Sequence, residues 1–455
     1  MKKYDIILIG TGQATGTILP GLLDAGKRIA VIERDRVGGS CVNWGCTPTK
    51  TLVASARAAR MVQRAGEFGI ETGPGVTDFS RVMERVNSIR NEASTGFQKW
   101  LEEVTDFYPF SGSFVDEHTV KAGDELIQAE TIIIHTGAAA RIPQLPGIES
   151  VPWLDNKRIL DLTELPDHLL VIGGSYIGLE FGQAFRRFGS RVTVFEHGER
   201  LIFREDPDIS TLAKELLADE GVEFHLKSEI LSLSSGDGRI VVHYKQGESE
   251  KTVEGSHLLV AAGRAPAVTG LNLGAAGVET DDKGYIRVDD YGRTAQKHIY
   301  ALGDVNGRGA FTHTSVNDGQ VFLDHYLRGG GRKISDRVPV YAMYIDPPLA
   351  RVGLNRRAAE HRGLEYLTAE MPMSSVSRAK EKSETGGIMQ VLTKAGSSTI
   401  LGATLFGTGA DEVIALLALA MQAGIPYTKL QETVIPHPTV AELVPFLFNS
   451  LAEPE

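Results

Sequence analysis

Two stretches of this 455-residue chain repeat one another at a fixed distance, and the repeat narrows the possible folds more than any other feature. Residues 4–34 read YDIILIGTGQATG…KRIAVIER, and residues 167–198 read DHLLVIGGSYIGLE…SRVTVFEHG. Gly10 and Gly173 stand 163 positions apart, and so do Glu33 and Glu196. Each copy predicts a buried apolar strand, a Gly-rich turn, a helix and a second strand that ends in an acid. A βαβ unit of this kind brings backbone amides and a helix N-terminus up to a pyrophosphate, while the acid holds an adenosine ribose.

Neither copy is a complete fingerprint. The first has Gly10 and Gly12, but Thr15 replaces the third glycine and Gly16 follows it. The second has Gly173 and Gly178, but Ser175 takes the middle position, where close approach to a pyrophosphate favours no side chain. One degenerate motif is weak evidence. Two at equal internal spacing, each ending in an acid, predict two bound dinucleotides and electron transfer between them.

The only two cysteines, Cys41 and Cys46, lie in GGSCVNWGCTPTK. As a staple, a loop this short would contribute only about 2 kcal/mol. A chain of this length can bury a large core without one. A zinc-type site needs four thiolate or imidazole ligands, and no third cysteine exists. The pair therefore reads as a redox couple.

Bulk composition is that of an ordinary globular protein, with 23% charged and 42% hydrophobic residues. A net charge of −11 with no basic block argues against nucleic-acid binding. The N-terminal apolar run is too short for a signal peptide, and IALLALAMQAG (414–424) is too short to span a bilayer. A soluble, cytoplasmic chain with no membrane partner is expected. Residues 79–104 have the spacing of one long amphipathic helix.

These motifs together resemble the flavoprotein disulfide reductases, the class I pyridine nucleotide-disulfide oxidoreductases that include glutathione reductase, lipoamide dehydrogenase and mercuric reductase. GGSCVNWGCTPTK resembles their redox-disulfide motif, and its CTPTK ending with the GTGQ start is most similar to the mercuric-reductase-like branch. TGAAARIPQLPG (136–147) and AAGRAP (261–266) resemble the crossovers between FAD and nicotinamide domains. IYALGDV (299–305) resembles the second FAD motif, and HPTVAE (437–442) the active-site His-Glu signature.

The resemblance implies an α/β fold with two Rossmann-like dinucleotide-binding domains and a C-terminal α+β dimerisation domain, as in glutathione reductase. The FAD domain would comprise residues 1–147 and 266–335, the NAD(P) domain 148–265 and the interface domain 336–455. It implies FAD held by Gly10, Gly12, Glu33, Gly39, Ser40, Thr136, Gly137, Gly303 and Asp304. A nicotinamide cofactor would be held by Gly173, Ser175, Gly178, Glu196 and Gly263. Glu196 favours NADH by repelling a 2′-phosphate, although His197, Arg200 and Arg204 follow and NADPH stays open.

By the same resemblance Cys46 is the thiol nearest the flavin and Cys41 the interchange thiol. His437, oriented by Glu442, is the base that serves the site of the other subunit of a homodimer. Lys50 and Glu180 would form a pair at the flavin edge, beside the plainer reading of both as solvated charges. Trp44 reads as packing, and His313 is the one other histidine with a possible role. The acceptor would be a disulfide or a metal ion, met at Cys41 and Cys46 alone because no second Cys pair lies near the C-terminus. Open alternatives are a dihydrolipoamide dehydrogenase, a glutathione reductase and a slow-turnover flavin redox sensor.

Overall fold

A computed structural model describes residues 1–73 and 75–454. The chain divides into two compact units. The first comprises residues 1–51, 83–142 and 262–337; the second comprises 52–82, 143–261 and 338–455.

The first unit is built on a seven-stranded sheet. Strands β1 (Lys2–Ile9), β2 (Ile29–Ile32), β3 (Asp106–Tyr108), β4 (Gly112–Phe114), β5 (Thr119–Ala122) and β6 (Glu125–Ile134) run in the order β3-β2-β1-β6-β5-β4. The strand Ile299–Ala301 also pairs with β6. β1 lies parallel to β2 and β6, whereas β4, β5 and β6 form an antiparallel extension. Strand β1 is apolar at consecutive positions because both faces of the sheet are covered. Ile6 and Leu8 pack with Ile18 and Leu22 of helix α1 (Gln13–Asp24), while Ile7 and Ile9 pack on the opposite face with Ile132 and Ile299.

Short helix α2 (Gly39–Asn43) and helix α3 (Cys46–Gln63) carry the cysteines. The amphipathic pattern at 79–104 forms helix α4 (Phe79–Val104) over its full length.

In the second unit a parallel sheet joins strands 222–225, 191–195, 168–172, 257–260 and 153–154 in that order. Helix α5 (Tyr176–Phe188) follows the second Gly-rich turn, so both copies of the repeat fold as strand, turn, helix and parallel strand. An antiparallel meander, 228–236, 239–246 and 249–255, is inserted before the last strand of this βαβ region.

The C-terminal part of the same unit has a five-stranded antiparallel sheet, ordered 340–343, 349–353, 400–406, 388–394 and 366–372. Helix Ala410–Gln422 buries Ile414, Leu417 and Ala420 in its core. The α/β class with two Rossmann-like sheets and a C-terminal α+β region is therefore the observed architecture.

Candidate active site

Cys46 opens helix α3, and Cys41 sits on α2; both are free thiols. Two left-handed glycines, Gly38 and Gly39 (φ +103° and +63°), precede Cys41 and turn the chain into α2. Asn43 holds that turn, donating through Nδ2 to Val37 O at 2.9 Å and Gly39 O at 3.1 Å. A Cβ on Gly39 would lie 3.0 Å from Gly12 Cα, so the Cys loop rests directly on the first Gly-rich turn.

The Cys46 sulfur has an unusual set of neighbours. The Cys41 thiol hydrogen-bonds to it, the Thr312 hydroxyl lies 3.1 Å away and the Lys50 ammonium is close. Acting in that order of strength against the cost of burial, they bring the Cys46 thiol from 9.0 down to about 6. Its place at a helix N-terminus favours the anion as well. Sharing that hydrogen bond pushes the Cys41 thiol far up, and burial adds to the effect. The pair is thus one ready thiolate beside one thiol that needs a base. Thr312, at the start of helix Thr312–Arg328, has no local sequence signal, because its partner is 266 positions away.

The first Gly-rich turn is shaped for close approach. Gly10 has φ +106°, and a Cβ there would lie 2.3 Å from His135 O; one on Gly12 would lie 2.4 Å from His135 Nε2. Glu33, at the end of β2, accepts from Thr11 N at 3.0 Å, Thr11 Oγ1 at 2.7 Å and Asp35 N at 2.9 Å. Thr11 Oγ1 also accepts from Gly38 N at 3.1 Å. Thr11 therefore ties the acid, the turn and the Cys loop together.

Gly303 (φ +74°) precedes Asp304, whose carboxyl is pushed up by burial and drawn back down by Arg264, 3.5 Å away. Thr136 Oγ1 is buried with no hydrogen-bond partner among the described residues, next to left-handed Gly137. A glycine cradle, a held acid and an orphaned hydroxyl gathered in one unit fit FAD. Ser40 lies beside Cys41 on α2.

The second turn is the counterpart in the second unit. Gly173 has φ +116°, and a Cβ on Gly178 would lie 2.1 Å from Gly173 O. Glu196 Oε2 accepts from Gly174 N at 2.8 Å and Oε1 from Gly198 N at 2.7 Å. Ser175 takes extended backbone at the N-cap of α5 with no side-chain cap bond, so its hydroxyl is not spent on the helix end. Gly263, expected with the nicotinamide, lies in the first unit, where its carbonyl accepts from Arg141 N at 2.9 Å. Glu180 is buried in α5 and accepts from Tyr344 N at 2.8 Å. Lys50 is half-buried in α3, its charge felt at Cys46.

His437 Nδ1 lies 3.0 and 2.9 Å from the two Glu442 oxygens. The carboxylate thus accepts the Nδ1–H hydrogen bond, which keeps the ring proton on Nδ1 and leaves the Nε2 lone pair free to accept. The imidazole is 73% exposed while Glu442 is largely covered, so the acid orients a ring that faces outward. Nearby Val434 and Phe446 are exposed. Trp44 is half-buried beside the thiols, and the His313 ring stacks on Phe311. Among the described residues no cluster of three or more His, Cys, Asp or Glu forms a metal site, and no helix is long and apolar enough to cross a membrane.

Residues 4–319 match the family model described as pyridine nucleotide-disulphide oxidoreductase, and residues 340–446 match the model for its dimerisation domain. The sequence is 33% identical to the probable pyridine nucleotide-disulfide oxidoreductase RclA of Escherichia coli (strain K12), covering 99% of each chain. It is 32% identical to a mercuric reductase of Lysinibacillus sphaericus, over 97% of this chain and 81% of that one. A dihydrolipoyl dehydrogenase of Haloferax volcanii is 29% identical over 97% and 94%. The solved Cu(II) complex of the HOCl-induced flavoprotein disulfide reductase RclA from Escherichia coli superposes with a TM-score of 0.90, at 32% identity over 99% of each chain.

Proposed function

The chain belongs to the pyridine nucleotide-disulphide oxidoreductases, and on that premise we propose that Cys41 and Cys46 deliver electrons from NADH to an oxidised disulfide or a thiol-seeking metal ion. The enzyme is an NAD(P)H-dependent flavoprotein oxidoreductase of the disulfide reductase type. The observation that carries the proposed role of the pair is the placing of the Cys46 sulfur at the N-terminus of α3, beside a second free thiol and 3.1 Å from the Thr312 hydroxyl.

FAD, when bound, supplies the two-electron relay between nicotinamide and disulfide. In this reading the FAD domain is residues 1–147 with 266–335, and Gly10, Gly12, Glu33, Gly39, Ser40, Thr136, Gly137, Gly303 and Asp304 hold the cofactor. Residues 148–265 form the nicotinamide domain, with Gly173, Ser175, Gly178 and Glu196 at the dinucleotide, Gly263 beside it, and Lys50 and Glu180 paired at the flavin edge. Residues 336–455 form the interface domain.

With a disulfide acceptor, His437 Nε2 of a second copy takes the Cys41 proton, and Cys41 Sγ attacks one acceptor sulfur. The departing thiolate receives that proton. Cys46 Sγ, as the thiolate, then attacks Cys41 Sγ, closing the pair and releasing the second acceptor sulfur as a thiolate, which takes its proton from solvent. The matched dimerisation domain and the exposed Val434 and Phe446 support the second copy. Two adjacent thiols also suit soft metal ions, and the related RclA was solved with Cu(II).

NADH is favoured because both Glu196 oxygens are fixed by backbone N–H groups, keeping a negative charge where a 2′-phosphate would lie. Arg200 donates to Phe203 O, and Arg204 lies over the Phe203 ring.

The test is anaerobic reduction with one equivalent of NADH, followed by separate challenge with small disulfides, dihydrolipoamide plus NAD⁺, Cu(II) and Hg(II). Rapid reoxidation by disulfides or metal ions, lost in Cys41→Ser, supports the proposal. Efficient turnover only from dihydrolipoamide to NAD⁺ makes the enzyme a lipoamide dehydrogenase. Reoxidation unchanged in Cys41→Ser and Cys46→Ser removes the thiols from the reaction.

A further inference from the structure

Beneath the first Gly-rich turn lies a histidine that no motif singles out. His135 follows β6, and its imidazole is buried. Its Nδ1 is 2.7 Å from Leu302 O, a carbonyl that can only accept, so Nδ1 carries the ring proton. Nε2 is left as an acceptor and takes the N–H of Ala14 at 3.2 Å, in the first turn of α1, with Ser315 Oγ 3.4 Å away. Burial disfavours the charged ring, in keeping with this neutral form.

The surrounding backbone is fitted to that ring. A Cβ on Gly12 would lie 2.4 Å from Nε2, and one on Gly303 would lie 2.7 Å from Cε1. Both glycines belong to segments expected to hold FAD. The imidazole therefore stands between the turn that would carry the pyrophosphate and the segment that would carry the ribityl chain, bonded to each.

We propose that His135 is a positioning residue for FAD: it bridges the Ala14 amide to the Leu302 carbonyl and holds the two FAD-binding segments at a fixed separation. First-turn amides of a helix have no partner within the helix, so an internal acceptor here sets the orientation of the turn before any ligand arrives. The proposal rests on the reading that this unit binds FAD.

The experiment compares FAD release from the wild-type holoenzyme with that from His135→Leu, His135→Gln and His135→Asn, followed by the rise in flavin fluorescence on dilution. Leu fills the space but bonds neither neighbour, Gln reaches the Ala14 amide, and Asn is too short to reach it. FAD should leave the Leu and Asn variants at least about tenfold faster, while Gln stays within about threefold of wild type. Equal release from Leu and wild type overturns the proposal and makes the ring a space filler; equal loss from Leu and Gln also overturns it, because restoring an acceptor for the Ala14 amide would then restore nothing. Should the Leu variant fail to fold, the Asn and Gln pair decides, and Asn retaining FAD like wild type is the overturning result. A wild-type chain that takes up no added FAD overturns the cofactor reading itself, and this proposal with it.

Discussion

At Cys46 three neighbours act on one sulfur, and each can be removed separately. Cys41 has the largest effect, but substituting it would also remove the proposed interchange thiol, so Thr312 is the cleaner probe. Hydrogen bonds to charged groups are worth roughly 1.5–3 kcal/mol, so Thr312→Val should raise the Cys46 pKa by about one unit or more. Thiolate absorbance, or the pH dependence of alkylation in the reduced enzyme, measures the shift. An unchanged titration would mean that the 3.1 Å contact does not act on the thiolate. The sign for the native enzyme follows from the lowered value. The thiolate and its contribution to stability are fully present above the ordinary thiol pKa of 9.0 and are lost as the pH falls through about 6. Thiol exchange should fall off on that acid side. His437→Ala should slow exchange by about 10²–10⁴-fold, in keeping with the loss of a general base. It should leave the reduction half-reaction with NADH near wild type. Equal slowing of both steps in rapid mixing would remove His437 from the base role.

Among the elements, the two Gly-rich turns show how far a motif can be read. Both were legible as βαβ units, because a continuous apolar run, glycine spacing and a terminal acid are local patterns. How the fold accommodates their departures from the fingerprint was not. Thr15 stands where Gly178 stands in the other copy, yet its hydroxyl donates to Gly10 O at 3.0 Å, whereas a Cβ on Gly178 would collide with Gly173 O. Gly178→Ala should therefore cost stability in the second unit by about 1–3 kcal/mol, as overpacked sites do, and raise the KM for NADH. FAD content should be unchanged, since the first turn lies in the other unit. Equal KM values in wild type and variant, from steady-state titration of NADH, would show that the turn has room to relax. Helix α4 was legible to its ends because a 26-residue amphipathic period leaves few alternatives.

At the scale of the whole molecule, the His437 imidazole is 73% exposed, and the proposed function has it serve the site of a second copy. Mixing the Cys46→Ser and His437→Ala enzymes after subunit exchange tests this. With random pairing, half the dimers are mixed and each holds one site with both native residues, so about a quarter of wild-type thiol-dependent activity should return. No recovery in confirmed mixed dimers would place His437 in the site of its own chain.

Local residue patterns were enough to specify the two βαβ units, the Cys pair and the His437–Glu442 spacing, because each is written in residues at most a few tens of positions apart. Tertiary structure alone decided which atoms tune them. Thr312 reaches Cys46 across 266 positions, and His135 reaches Ala14 across 121. Contacts closed over such loops depend on how the sheet and its helices pack, and no local period or spacing encodes that geometry.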